Sequence, residues 1–348
     1  MSTTSAAEAG PRIVRPEFAG SAREYFRIWI VNLFFTLITL GVYSAWAKVR
    51  KKRYLYGCTR LDGDSFDYFA SPRTILKGRI VAVALFVTYA FVAELYPDSV
   101  WAFWILFLLA LPWLVVRALA FNARNSAWRG LRFDFAATRG QAARLFIGWP
   151  ILVALTAGLA FPWFMARQKA FVVSHHALGT TRFAARAPVG GFYLTYVLAG
   201  LLLAVLVVPL VFLMGFGVAR FELPESLAWA PLFLPIALMY AAYALAYAFV
   251  QARTTNLLWN GAQGPGLRFG STLKAGKLAR LYIGNVLAAA ASAGLLIPWA
   301  VVRTLRYRLE NFSVAVEEEN LHEANPALER VGAVGQEFGD IFNLDFGL

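Results

Sequence analysis

Charge is what this sequence has least of. Only 15% of its 348 residues are Asp, Glu, Lys or Arg, against roughly 25% in soluble domains. Cysteine occurs once, at Cys58, which excludes an internal disulfide and any multi-cysteine metal site. Histidine occurs three times. His175 and His176 are adjacent and point in different directions in a strand or a helix, and His322 stands in an acidic tail, so no metal-ligand set is expected. Ser44 and Ser174 have no evident His–acid partner, and there is no nucleophile elbow. The Gly-rich run GAQGPGLRFG at 261–270 lacks the Lys-Ser/Thr of a phosphate loop and reads as a flexible turn. These absences give the expectation of a protein that is not an enzyme and carries no metal and no cofactor.

Apolar residues are abundant instead, at 59%. Uninterrupted apolar runs at 80–93, 100–116, 192–219 and 227–250 are the mark of a polytopic membrane protein. The first run is short unless Ile75, Leu76 and Gly78 join it, with Lys77 and Arg79 snorkelling to the interface. None of the four contains an acid, a base or a histidine, which argues against ion-coupled transport but not against a passive channel. Residues 1–24 are polar and lack the apolar core of a cleavable signal peptide.

The same stretch also occurs three times, at 29–54, 146–171 and 282–307. Aligned without gaps, each copy has an Arg two residues upstream (Arg27, Arg144, Arg280) and an aromatic at each end. Between them lie a Gly (Gly41, Gly158, Gly294), a Trp (Trp46, Trp163, Trp299) and an Arg (Arg50, Arg167, Arg303). Asn32 and Asn285 share a further column, with Trp149 in the second copy, and are read as capping a broken backbone. A smaller motif follows the apolar segments: an aromatic, a polar turn and a Phe twelve residues on, at 54–66, 121–133 and 171–183, with a looser version ending at Phe269. This pattern predicts short interfacial β-hairpins, with irregular loops as the competing reading.

Two arrangements of the three copies are open. Each is long enough to cross a membrane as one straight helix, which gives seven crossings. Each could also be a re-entrant or interfacial helical hairpin of two arms of about ten residues, roughly 15 Å long and half the hydrocarbon thickness. The Gly would mark the bend, helped in two copies by Pro162 and Pro298. The charges favour hairpins. Residues 1–316 hold 32 Lys or Arg against 12 acids, whereas 317–348 hold eight acids and one Arg. Seven crossings divide the basic residues 20 to 13. Hairpins put 32 on one face and leave only Arg220 on the other, beside the short loops 94–99 and 215–226. The second split obeys the positive-inside rule far better.

The run LITLGVYSAWAKVRKKRYLYGCTRLDG with FDYFASPRTILKGR, and the ending GDIFNLDFGL, resemble the YjgN-type family of bacterial inner-membrane proteins of unknown function. The resemblance extends from Phe18 to the last residue. It implies a polytopic inner-membrane protein and no particular activity. Ala45 departs from it, since that family more often has Pro there.

The expected architecture is therefore all-α and membrane-embedded, with two pairs of long helices (75–116 and 192–250), three repeat segments (27–54, 144–171, 280–307) and small cytoplasmic β-hairpins. The acidic tail 317–348 stands apart from this membrane domain, 25–316. The densest basic run, Lys48, Arg50, Lys51, Lys52 and Arg53, lies among Tyr43, Trp46, Tyr54 and Tyr56. With Arg167 and Arg303 it is the candidate interface for anionic lipid or another acidic partner, with simple topology setting as the competing reading. The partner expected is the bilayer and not nucleic acid, because the basic residues crowd the ends of apolar runs. Tyr240, Tyr243 and Tyr247 fall on one face of the last long helix among alanines. They are expected to pack within the bundle or to line a solute path.

Overall fold

A computed structural model describes residues 11–212 and 230–316. The loop 215–226, with Arg220, Glu222 and Glu225, and the tail 317–348, with His322, lie outside the described residues. Eleven helices and twelve short strands alternate along the described chain.

Among the described residues four helices are long and apolar enough to cross a membrane. They are α3 (Pro72–Leu95), α4 (Val100–Arg124), α8 (Val189–Phe212) and α9 (Ala230–Trp259), and they coincide with the four apolar runs. Arg79 of α3 does not simply reach for the interface. Its guanidinium donates to Ser44 Oγ on the neighbouring hairpin.

Each repeat folds as two antiparallel helices joined by a tight turn. The first is α1 (Ala22–Ile38) and α2 (Ser44–Gly57). The second runs through α5 (Arg139–Ala143), a π-helical turn (Arg144–Gly148) and α6 (Trp149–Leu155), and returns as α7 (Phe161–Ser174). The third is α10 (Ala275–Ala291) and α11 (Ile297–Glu310). The arms α1, α2, α10 and α11 are 14 to 17 residues long, longer than the ten expected, because the helices continue past the apolar stretch into its basic flanks. Pro162 and Pro298 stand in the first turn of α7 and α11. There they start the second arm and do not break a helix, since the first turn needs no proline N–H.

The β-hairpins form at all four places. They are β3 (Thr59–Leu61) with β4 (Asp64–Tyr68), β5 (Ser126–Trp128) with β6 (Leu131–Phe135), β7 (His176–Leu178) with β8 (Thr181–Arg182), and β10 (Ala262–Gly264) with β11 (Leu267–Ser271). They do not stand alone. With β2 (Glu17–Phe18) the first three make one seven-stranded sheet in the order β2-β3-β4-β5-β6-β7-β8. The fourth joins β1 (Arg12–Val14), β9 (Ala184–Ala185) and β12 (Phe312–Val316) in a sheet ordered β1-β12-β11-β10-β9. The polar N-terminal segment thus supplies two strands. The chain links the two sheets where β1 runs into β2 and where β8 runs into β9.

This order fixes where every helix pair begins and ends. α1–α2 lies between β2 and β3, which pair Phe18 with Thr59. α3–α4 lies between β4 and β5, which pair Phe66 with Trp128. The second repeat lies between β6 and β7, which pair Phe133 with Leu178. α8–α9 lies between β9 and β10, and α10–α11 between β11 and β12. Each pair leaves from one strand and returns to the adjacent strand. Helices pack on their neighbours in the same order, and α11 returns to pack on α1. The buried apolar residues form five separate clusters at these seams, such as Tyr25 and Leu55 with Val302 and Leu305 between the first and third repeats.

Candidate membrane-interface site

The turns at the ends of the three repeat hairpins are the same structure built three times. Leu40, Ala157 and Ala293 have φ of 49°, 48° and 48°, and Gly41, Gly158 and Gly294 have φ of 92°, 88° and 90°. A left-handed residue without a glycine costs about 1–2 kcal/mol, and φ near +90° belongs to glycine. The Gly N–H closes each first arm by donating to the carbonyl five residues back, on Thr36, Val153 or Ala289, at 2.8, 2.8 and 2.7 Å.

A hydroxyl completes each turn, at a column the sequence comparison passed over because it is Thr twice and Ser once. Thr39, Thr156 and Ser292 donate to the carbonyls of Phe35, Leu152 and Ala288, at 2.7, 2.9 and 2.7 Å. The same hydroxyls accept the N–H of Tyr43, Ala160 and Leu296 in the returning chain, at 2.9, 3.1 and 2.9 Å. The donors and acceptors freed by the chain reversal are therefore met largely from within the hairpin. The tips themselves are apolar and exposed. Leu40 is 95% exposed, Leu155 79% and Leu159 76%.

Asn32 and Asn285 do not cap these turns. Each reaches across its hairpin to the second arm, with Nδ2 donating to the carbonyl of Ala47 at 3.5 Å and of Ala300 at 3.3 Å. Asn285 also reaches Thr304 Oγ1 at 2.9 Å. In the second repeat an aromatic pair replaces this tie, with the rings of Trp149 and Trp163 4.8 Å apart. Trp46 stacks on Tyr43, and Trp299 lies under the Arg303 guanidinium at 5.0 Å.

The basic residues gather at the opposite, sheet-proximal end. Within the dense run of α2 the roles divide. Arg53 donates to the carbonyls of Tyr68 and Ala70 and holds the entry to α3. Lys52 donates to Asn122 Oδ1 on α4 at 3.1 Å and lies over the Tyr68 ring. Arg50 and Lys51 are exposed and Lys48 is half-buried, while Arg167 and Arg303, in the same column as Arg50, are exposed. Lys169 of α7, the counterpart of Lys52, is enclosed and donates to Thr254 Oγ1 at 3.0 Å. Burial first, and the nearby Arg308 second, bring its pKa down from 10.5 to about 8.

The remaining candidates fall into structural places. His175 and His176 bond the carbonyls of Phe171 and Val172 through Nδ1, and burial draws His176 below its ordinary pKa. Burial pushes the Cys58 thiol up, away from the reactive thiolate. Among the described residues no group of three His, Cys, Asp or Glu could hold a metal. Tyr240, Tyr243 and Tyr247 are 69%, 62% and 40% exposed. Tyr247 accepts from Gln251 at 2.9 Å, and its ring meets Tyr282 of α10. Tyr240 and Tyr243 thus face outward on α9, and Tyr247 packs at the seam with α10.

Residues 14–341 match the family described as "Bacterial protein of unknown function (DUF898)". The chain belongs to this family. It is 30% identical over 150 residues to the inner membrane protein YjgN of Escherichia coli (strain K12), and 27% identical over 137 residues to that of Salmonella typhimurium (strain LT2). These alignments cover 41% and 39% of this chain and 36% and 35% of the relatives, so the chain spans about a third of the length of the curated relatives it matches. No solved structure matches. The relatives' names and the four apolar helices agree on a multi-pass inner-membrane protein.

Proposed function

We propose that this family member is a non-enzymatic membrane protein that gathers anionic lipid at the cytoplasmic leaflet through re-entrant hairpins. The carrying observation is the combination, three times over, of an exposed uncharged tip, an internally bonded turn and a basic root. No charged residue stands between Arg27 and Lys48, between Arg144 and Arg167, or between Arg280 and Arg303. Hydrocarbon tolerates a chain reversal only when its backbone groups are satisfied by protein, and the Thr39, Thr156 and Ser292 hydroxyls supply much of that. An arm of 14 to 17 residues reaches about 21 to 26 Å, short of the ~30 Å core plus its interface.

On this reading the sheets form a platform in the cytoplasm, the four long helices cross, and the hairpins are wedges held in one leaflet. Arg and Lys at the roots meet anionic headgroups, each contributing about 1 kcal/mol near such a surface. Purification of the full chain with native lipids, followed by identification of what is retained, tests the proposal. Enrichment of anionic over zwitterionic phospholipid relative to the source membrane is expected. Retained lipid of unchanged composition contradicts it. The runner-up is a passive channel. Its supporting observation is the exposed hydroxyl face of Tyr240, Tyr243 and Tyr247 on α9, and solute flux into vesicles that Tyr243→Phe alters would favour it.

A further inference from the structure

The three hairpins carry the same paired arginine columns, and at the third the pair lines an open cavity of about 930 Å³. It lies at the seam where α10 and α11 close back on the start of α1. Lys277 and Arg280 come from α10, and Arg303, Arg306 and Glu310 from α11. The charged lining is four cations and one acid. None of the four cations belongs to an ion pair among the described residues. Arg306 is used structurally, donating to the Gly20 carbonyl at 3.2 Å. Arg280 donates to the Gly276 carbonyl of its own helix, and the Arg303 guanidinium lies over the Trp299 ring at 5.0 Å. The Arg303 guanidinium is drawn back against Gly284 so closely that a Cβ there would stand 3.2 Å from Nη1.

Four exposed cations line this one volume, and their summed positive potential favours an anion between them. Arginine pairs favour an oxyanion because their planar forks bond it through two N–H groups at once. The rest of the lining is Leu281, Val302, Trp299 and Ala22, with Tyr307 and the amide of Asn311. Trp299, Leu296 and Leu295, exposed at 37%, 43% and 49%, continue this surface toward the hairpin tip. An open cationic cavity beside an apolar surface is complementary to an anion that carries acyl chains.

We infer that the α10–α11 cavity binds a phosphate group, held by Arg280, Arg303 and Lys277, and that an anionic phospholipid supplies it. This rests on the lipid reading above and narrows it to one hairpin. Trp299 and the leucines of the tip accept the chains, Arg306 keeps the N-terminal segment in place as one wall, and Gly284 leaves room for Arg303.

The test uses the full chain in detergent with equimolar phosphatidylglycerol and phosphatidylcholine of identical chains. Bound lipid is counted by native mass spectrometry. A second arm measures the melting temperature with inorganic phosphate. Arg280→Gln combined with Arg303→Gln is expected to lower the phosphatidylglycerol preference about tenfold or more, at about 1 kcal/mol for each charge. The matched change in hairpin one, Arg27→Gln with Arg50→Gln, is expected to lower it by a clearly smaller factor, since those two arginines act there only as root charges. Protection by inorganic phosphate that the Arg280/Arg303 change removes also supports the cavity and moves the source to free phosphate. An equal fall in both double variants, or a preference undiminished by Arg280→Gln with Arg303→Gln, overturns the cavity and leaves the broader lipid reading standing. A wild-type chain without any phosphatidylglycerol preference sinks the broader reading; the cavity then falls too unless phosphate protects.

Discussion

α8 and α9 run for 24 and 30 residues, and α10 and α11 for 17 and 14. At 1.5 Å per residue these are about 36 and 45 Å against about 26 and 21 Å. Both pairs start and finish on adjacent strands of the same sheet. The long pair has length enough to cross and turn in water. The short one ends in an apolar reversal. In the other long pair the turn is polar, Pro97–Ser99 with Asp98, and in each short pair it is a left-handed residue, a glycine and a hydroxyl. Turn chemistry and arm length therefore vary together, as expected if the two classes end in different solvents.

Glycine gives the largest test of that difference. Gly158 sits at φ +88° with nothing within 4 Å of an added Cβ, whereas Gly200 of α8 is helical and equally open. Gly158→Val is expected to destabilise by about 2 kcal/mol through backbone strain alone. Gly200→Ala is expected to stabilise by about 0.5–1 kcal/mol through helix propensity. Thermal unfolding in detergent should show opposite signs, and equal signs would erase the distinction between the two settings.

The turn hydroxyl comes next. Thr156→Val preserves shape and removes both bonds of that hydroxyl, at an expected cost of about 1–2 kcal/mol. Thr195 of α8 donates to the Gly191 carbonyl within a continuous helix, so Thr195→Val should cost less than half as much. A reversed ranking would mean that the turn backbone finds another partner.

Lys169 gives a pH test of a kind the long apolar runs lack, since they carry no Lys, Arg, His, Asp or Glu. Its folded pKa of about 8 lies below the ordinary 10.5. Between those values the unfolded chain holds more protons than the folded one, so stability should rise as pH increases from 8 to 10.5. Below pH 8 the cost of the buried charge is constant. Lys169→Met should stabilise by about 1 kcal/mol at pH 7 and abolish the rise. A rise that persists in Lys169→Met assigns it to other groups.

The smallest expected effect concerns the acidic tail. Its eight acids oppose the basic roots in sign. Deleting 317–348 should tighten binding to phosphatidylglycerol vesicles by about twofold, within the ~1 kcal/mol per charge available near a membrane surface. Unchanged binding would separate tail from roots.

Much of this was legible in the sequence because it depends on local chemistry. Four apolar runs without charges mark the long helices. A Gly in the same column three times marks the turns, since only the left-handed backbone demands it there. Asp62-Gly63 and Arg129-Gly130, both at positive φ, mark two of the strand reversals. The joining of the hairpins into two sheets was not legible. It depends on pairs such as Phe133 with Leu178, with a whole helical hairpin between them in the chain. The turn hydroxyl escaped notice because Thr and Ser are different letters with one function. The roles of Arg53 and Lys52 escaped for the opposite reason. Within a run of five basic residues nothing local distinguishes the side chain that ties down a loop from one that faces a headgroup.

The account stands most directly on which side of the membrane Arg60 and Thr180 lie. Arg60 is in β3 and Thr180 in the turn between β7 and β8, and the whole second repeat lies between them in the chain. In a Cys58→Ser background, single cysteines at Arg60, Thr180 and Asp98 can be labelled with a membrane-impermeant maleimide in oriented vesicles. The account predicts that Arg60→Cys and Thr180→Cys label from one side and Asp98→Cys from the other. Labelling of Arg60→Cys and Thr180→Cys from opposite sides would mean that the second repeat crosses the bilayer, and the re-entrant hairpins would be wrong.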